Sequence, residues 1–183
     1  KFGPAGNSES FSKMGYKNSL DVPEYIVKMG LDCYEYQCGR GVNIGEEKAR
    51  LLGEKAAKAG ITLSLHAPYY ISMSSTEGEK RDNSVNYILA SARAVNAMGG
   101  DRIVVHTGSC GKISRSDALD LALDTMRKAI AALDGEGLSN IHICPETMGK
   151  VNQLGTLEEV LELCLLDERL IPCIDFGHLN ARD

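Results

Sequence analysis

The sequence predicts an α/β fold in which parallel strands alternate with helices packed outside them. Three observations carry this reading. Short β-rich runs alternate with amphipathic helical patterns, and their starts lie roughly 30 to 40 residues apart, the span of one strand–helix unit. Gly60 and the pair Gly99-Gly100 follow helical patterns and precede strands, where left-handed helix stops belong. Four successive strand candidates run into His66, His106, Glu146 and Asp175. A parallel fold brings all such ends to one face, where active sites form.

The elements follow in order. Lys1 to Gly3 is the first strand candidate, and Asp21, Pro23 and Glu24 mark a helix start. Cys33 to Gln37 and Thr62 to His66 are the next two strands. Ser72 to Asn86 is polar, carries Lys80 and Arg81, and reads as a loop entering a helix. Val85, Ile88, Leu89, Ala92 and Val95 continue that helix at i, i+3, i+4 spacing. Arg102 to His106 is the fourth strand. Leu119, Ala122, Leu123, Met126, Ala129, Ile130 and Leu133 repeat the helical spacing after it. Ile141 to Glu146 is the fifth strand. Thr156 with Glu159 forms a capping box for a helix through Leu157, Val160, Leu161, Cys164 and Leu165. Ile171 to Asp175 is the sixth strand.

Composition bounds the possibilities. With 183 residues, 43% hydrophobic and 25% charged, residues 1–183 suit one globular domain with a real core. A collagen, a coiled-coil rod and a disordered tail are excluded. No apolar run approaches the ~20 residues of a membrane helix, and no signal segment opens the chain. Six cysteines without a C-x-x-C pair read as buried, reduced thiols of a cytoplasmic protein. The net charge of −5 is not that of a strongly basic nucleic-acid binder. It leaves DNA binding open, because a basic rim or bound cations supply positive field locally. Gly3-Pro4-Ala5-Gly6 does not match the G-x-G-x-x-G turn of a dinucleotide-binding sheet, and no Walker A sequence occurs. A doubly wound sheet and a (β/α)8 barrel both fit the alternation.

The strand ends carry the chemistry. Taken singly, a strand-end histidine is an ordinary structural group, Glu146 a lysine partner, and Asp175 the cap of the next helix. Jointly, His66, His106, Glu146, Asp175 and His178 form a convergent set of nitrogen and oxygen ligands. Imidazole with carboxylate suits zinc, and also manganese or iron. His142 falls near the start of its strand and reads as structural. Pro68 and Tyr69 set a rigid turn and an aromatic ring beside His66. His106-Thr107-Gly108-Ser109 is a tight polar turn whose backbone N–H groups suit a phosphate or water. Gln37 and Arg40, after the second strand, are candidate substrate contacts, Arg40 through its fit to phosphate.

Four segments carry a family resemblance. Ser64-Leu65-His66-Ala67-Pro68-Tyr69, Val104-Val105-His106-Thr107-Gly108-Ser109, Pro145-Glu146-Thr147-Met148-Gly149 with Leu154-Gly155-Thr156, and Cys173-Ile174-Asp175-Phe176-Gly177-His178 resemble endonuclease IV. That family repairs DNA at abasic sites and belongs to the xylose-isomerase-like barrels. The resemblance runs in order from Thr62 to His178. It implies a (β/α)8 TIM barrel with a trinuclear zinc site. His66 and His106 would hold one zinc, Glu146 would bridge to a second, Asp175 would bind the second and His178 the third. It implies a monomeric, cytoplasmic metal-dependent phosphodiesterase acting on duplex DNA. The enzyme would cut 5′ to abasic sites with Glu146 in the catalytic centre, leaving a 3′-hydroxyl and a 5′-deoxyribose phosphate. The abasic nucleotide would be flipped out of the helix.

An eight-stranded barrel typically needs ~250 residues, so the chain is expected to be a segment with about six β/α units, its later strands and ligands missing. It departs from the family in three places, one of them Gly177-His178, followed by Leu179-Asn180-Ala181-Arg182, where Cys-His is usual after Asp175. Gly3-Pro4-Ala5-Gly6-Asn7-Ser8 stands where a His-Val-Ser element is usual, and Tyr34-Glu35-Tyr36-Gln37-Cys38-Gly39-Arg40 where an Asn-containing DNA-recognition motif is usual. Glu146 and Asp175-x-x-His178 also resemble the ligands of metal-dependent sugar isomerases and epimerases of the same superfamily. His66 and His106, ligands only in the nuclease, decide for the nuclease.

Overall fold

The computed structural model describes residues 1–182. Four parallel strands form one sheet in chain order: β1 (Cys33–Gln37), β2 (Thr62–His66), β3 (Arg102–Val105) and β4 (His142–Pro145). Each strand pairs with its predecessor after a helical crossover. That is the topology of a barrel wall. A doubly wound sheet would reverse its order partway, and no reversal occurs among the described residues.

The first and sixth strand candidates are extended flanks rather than ladder strands. Ala5 bridges Glu35 in parallel beside β1, and Leu170 and Cys173 bridge Ile143 and Glu146 beside β4. Prolines explain the broken ladders. Pro4, facing β1, and Pro145 of β4, facing the flank at Ile171, have no N–H to donate where the ladders need one. The arc nevertheless has six positions in sequence order, as the alternation requires.

Among the described residues seven α-helices accompany the arc: α1 (Glu9–Lys13), α2 (Val22–Lys28), α3 (Glu46–Ala59), α4 (Gly78–Ala97), α5 (Arg115–Gly135), α6 (Leu157–Cys164) and α7 (Phe176–Arg182). The polar stretch from Ser72 turns helical already at Gly78. Gly60 closes α3 at φ +73°, and Gly99 follows α4 at φ +70°, conformations that cost glycine little. In α6, Thr156 Oγ1 accepts from Glu159 N at 3.2 Å and Glu159 Oε2 accepts from Thr156 N at 2.8 Å, the expected capping box. Asp21 precedes α2 but makes no side-chain cap there. Its carboxylate instead accepts from Asn18 N at 2.9 Å and closes a 3-10 turn over Ser19–Asp21.

The strand period of two divides the side chains. Tyr34, Leu63, Leu65, Ile103, Val105 and Ile143 join the buried core with Leu52, Ile88 and Met126 from the helices. Fully burying each aliphatic chain of this size is worth roughly 1.5–3 kcal/mol. The alternate residues, Glu35, Gln37, Ser64, His66, Val104 and Cys144, belong to the inner face of the arc and lie outside that core. The fold thereby hands one face of every strand to the interior of the barrel.

Candidate metal centre

His66 ends β2, and His106 and Glu146 stand one residue past β3 and β4. Val104 pairs with Cys144, so two residues on, His106 and Glu146 meet on the inner face. His106 Nε2 lies 3.0 Å from Glu146 Oε2, and His66 Nε2 lies 3.4 Å from the same oxygen. His66 and Glu146 are buried. His66 Nδ1 lies 2.8 Å from the carbonyl of Ala67, which can only accept. That bond holds the ring and leaves Nε2 as the ligand atom of the neutral form, as metal-binding histidines require.

The segment after Leu170 brings the other two candidates. Thr147 Oγ1 accepts from Asp175 N at 2.9 Å, and His178 Nδ1 donates to the Thr147 carbonyl at 2.8 Å. Asp175 Oδ1 accepts from His178 N at 2.7 Å, which caps α7. Asp175 Oδ2 lies 3.6 Å from His178 Nδ1, and Glu146 Oε1 lies 3.9 Å from that same nitrogen. Asp175 therefore serves as a cap with one oxygen and keeps the other toward the ligand cluster.

Two ligand groups result. Donor atoms of His66, His106 and Glu146 all lie within 4.8 Å of one another, as do those of Glu146, Asp175 and His178. Glu146 belongs to both. Two imidazoles with a carboxylate, and one imidazole with two carboxylates, fit divalent ions such as zinc. The chemistry is already felt in the side chains. Burial opposes the charge on Glu146, but hydrogen bonds from His106 and His66 outweigh it and hold the carboxyl down at about 2. Burial opposes protonation of His66, and the Glu146 carboxylate reverses this and raises its pKa.

A cleft of about 760 Å³ opens over these groups, with Asn7, Glu35, Gln37 and Tyr69 on its other walls. Gln37 lines it. Arg40 does not. It is exposed in the turn after β1. Tyr69 stacks on His106 with ring centroids 5.3 Å apart and planes at 24°, and meets His66 edge-on at 5.4 Å. A Cβ on Gly39 would lie 2.6 Å from Tyr69 Cε2, so glycine leaves room for the ring. The turn after His106 is tied to neighbouring loops: Gly108 O accepts from Leu154 N at 3.1 Å and Ser109 O from Ser74 Oγ at 2.8 Å. His142 lies away from the cleft, its Nδ1 donating to Arg169 O at 3.2 Å.

Sequence reasoning missed Glu35. Strand alternation could have found it, since Glu35 stands two residues before Gln37 on the same face. Burial pushes its carboxyl up, against the pull of His66 and the Gln37 amide. Asn7 went unassigned because only the flank bridge Ala5–Glu35 brings it to the cleft.

A sequence profile described as Xylose isomerase-like TIM barrel matches residues 23–183. An uncharacterized protein of Methanocaldococcus jannaschii is 34% identical over 166 residues, covering 91% of this chain and 59% of its own. A probable endonuclease 4 of Malacoplasma penetrans is 29% identical over 143 residues, covering 75% of this chain and 48% of its own. The chain thus spans about half the length of the curated relatives it matches. Among solved structures, the 3-keto-D-glucoside 4-epimerase of E. coli superposes with a TM-score of 0.76 at 17% identity, over 99% of this chain and 70% of that one. Endonuclease IV of Thermus thermophilus superposes with a TM-score of 0.59 at 20% identity, over 98% and 69%. Both structural likenesses concern the fold. The strand order and the profile agree: the chain belongs to the xylose isomerase-like TIM barrel family.

Proposed function

We propose that the protein is a metal-dependent phosphodiesterase that cuts duplex DNA 5′ to abasic sites, working as a cytoplasmic monomer with zinc as its ion. The observation that carries this is the sharing of Glu146 between two ligand groups, one of which contains two histidines. A single-metal sugar isomerase has no need of that pair of histidines. The probable endonuclease 4 of Malacoplasma penetrans supports the same reading among relatives.

His66, His106 and Glu146 would hold one ion, and Glu146, Asp175 and His178 would hold its neighbour. Divalent ions there supply positive charge to a phosphodiester and make water acidic enough to attack at neutral pH. The protein's own part is positioning. The carbonyls of Ala67 and Thr147 orient His66 and His178, and the Thr147 hydroxyl anchors Asp175. Low accessibility at His66 and Glu146 keeps bulk water from screening their charges. Tyr69, half exposed at the cleft mouth, offers a flat apolar face to an unstacked sugar.

The test is incision of a duplex carrying one abasic site by zinc-loaded protein, beside His106→Ala. Incision on the 5′ side, lost in the variant, is the expected result. Zinc-loaded protein that leaves the duplex intact but interconverts sugar phosphates would replace the nuclease with an epimerase.

A further inference from the structure

The cleft wall facing the metal ligands is built from two of the segments that depart from endonuclease IV, and its amides are fixed in opposite senses. Gln37 Nε2 donates to Glu35 Oε1 at 3.0 Å. With its NH2 group held there, Gln37 offers the carbonyl oxygen Oε1, which meets no protein donor among the described residues. Asn7 is held the other way. Tyr34 OH, on a buried ring, donates to Asn7 Oδ1 at 2.7 Å. That leaves the Asn7 NH2 group as the free function. Gly6 keeps the two segments close, since a Cβ there would lie 2.9 Å from Gln37 Cγ. All of these groups except Tyr34 line the same cleft as His66 and Glu146.

A fixed acceptor beside a fixed donor matches a group that both donates and accepts, which is a hydroxyl. A phosphate, with acceptors only, would be repelled by Glu35 and find no partner in Gln37 Oε1. We infer that Asn7, Gln37 and Glu35 form a subsite for a sugar hydroxyl, with Asn7 and Gln37 in contact and Glu35 positioning Gln37. This rests on the cleft being a sugar-phosphate site. In an abasic nucleotide the hydroxyl so recognised is the one on C1′, which replaces the base. In a free sugar phosphate it is a ring or chain hydroxyl. The subsite thus distinguishes a sugar that has lost its base from one that still carries it.

The experiment is equilibrium binding in EDTA, which prevents turnover. The probes are a duplex with one natural abasic site, the same duplex with a tetrahydrofuran analogue lacking the C1′ hydroxyl, and free 2-deoxyribose 5-phosphate. Wild type is expected to prefer the natural site about fivefold, the effect of one neutral hydrogen bond. Gln37→Met and Asn7→Ala should each remove that preference while retaining affinity for the analogue. Glu35→Ala should erode it by freeing the Gln37 amide, and Glu35→Gln, which still offers an acceptor, should restore it. Equal wild-type affinity for both duplexes together with no binding of the free sugar phosphate would overturn the subsite. So would a preference that survives Gln37→Met and Asn7→Ala. Binding of 2-deoxyribose 5-phosphate that Gln37→Met abolishes, with neither duplex bound, would keep the subsite and remove the nuclease.

Discussion

Glu146 Oε2 stands 3.0 Å from His106 Nε2, while Oε1 of the same carboxylate turns toward His178. One side chain thereby closes both ligand groups, and its loss should differ in kind from the loss of any other ligand. Glu146→Ala should empty both groups, whereas His178→Ala should leave the first occupied. Metal per protein, measured by elemental analysis, reads this directly. Incision should fall by at least about 100-fold in either variant, since even partners behind a ligand are worth 10–100-fold. Full metal content in Glu146→Ala would remove the bridge.

In the proposed metalloenzyme the ions would bind only the folded chain, so chelation should destabilise it. An ion present at about 100 times its dissociation constant adds ~2.7 kcal/mol. For a chain of this size that is roughly 5 to 10 °C of Tm. Calorimetry with and without EDTA measures it.

The His66–Glu146 contact makes stability and metal affinity run oppositely with pH in the chelated protein. His66 has a raised pKa when folded, so its contribution is full below 6.5 and is lost as pH rises through the raised value. Glu146 is held down at about 2, so its contribution is full above its ordinary 4.5 and is lost as pH falls through about 2. The metal needs the neutral imidazole and releases a proton on binding. Across the interval above 6.5, the metal-free protein should lose stability while apparent zinc affinity rises. Paired melting curves and zinc titrations at several pH values test the two signs, and His66→Asn should flatten both.

Much of this site was legible in the sequence, for a physical reason. Parallel strands with period-two alternation must send His66, His106 and Glu146 to one rim, so reading strand ends was enough to assemble them. The shared ligand and the double duty of Asp175 depend on which carboxylate oxygen faces which neighbour, and spacing does not encode that. Arg40 lies outside the cleft lining, and a turn residue has no periodicity to fix its direction. Asn7 depends on pairing between segments far apart in sequence. The terminal strands were overread because the ladder bonds denied by Pro4 and Pro145 were not weighed.

Gly39→Ala should act on catalysis through Tyr69. The added Cβ would lie 2.6 Å from Tyr69 Cε2, and the ring, 57% exposed, gives way more readily than the backbone. Stability should change by less than about 0.5 kcal/mol, as at other surface positions. Incision should fall about three- to tenfold, the worth of one aromatic pair. Tyr69→Ala should cost the same, and the double variant no more than either single one. Additive losses would mean that Gly39 acts by another route.

Arg182 should govern the second ligand group without touching it. It lies one turn beyond His178 on α7, so both project from the same side of the helix. His178 bonds the Thr147 carbonyl, and the Arg182 guanidinium donates to carbonyls of Met148 at 2.9 Å, Lys150 at 3.2 Å and Val151 at 3.3 Å. Arg115 also holds this loop, through Val151 O at 2.8 Å and Gln153 O at 3.1 Å. The His178 and Arg182 bonds dock the described part of α7 on the loop after β4. Arg182→Ala should weaken metal binding at the Glu146–Asp175–His178 group about 10- to 100-fold and leave the His66–His106 group filled. Arg182→Lys should recover little, because an ammonium lacks the planar fork that spans several carbonyls. Amide hydrogen exchange should show α7 opening while β2 and β3 stay protected. Slow exchange across α7 in Arg182→Ala, with both groups still occupied, would mean that His178 and the Asp175 cap suffice to dock the helix.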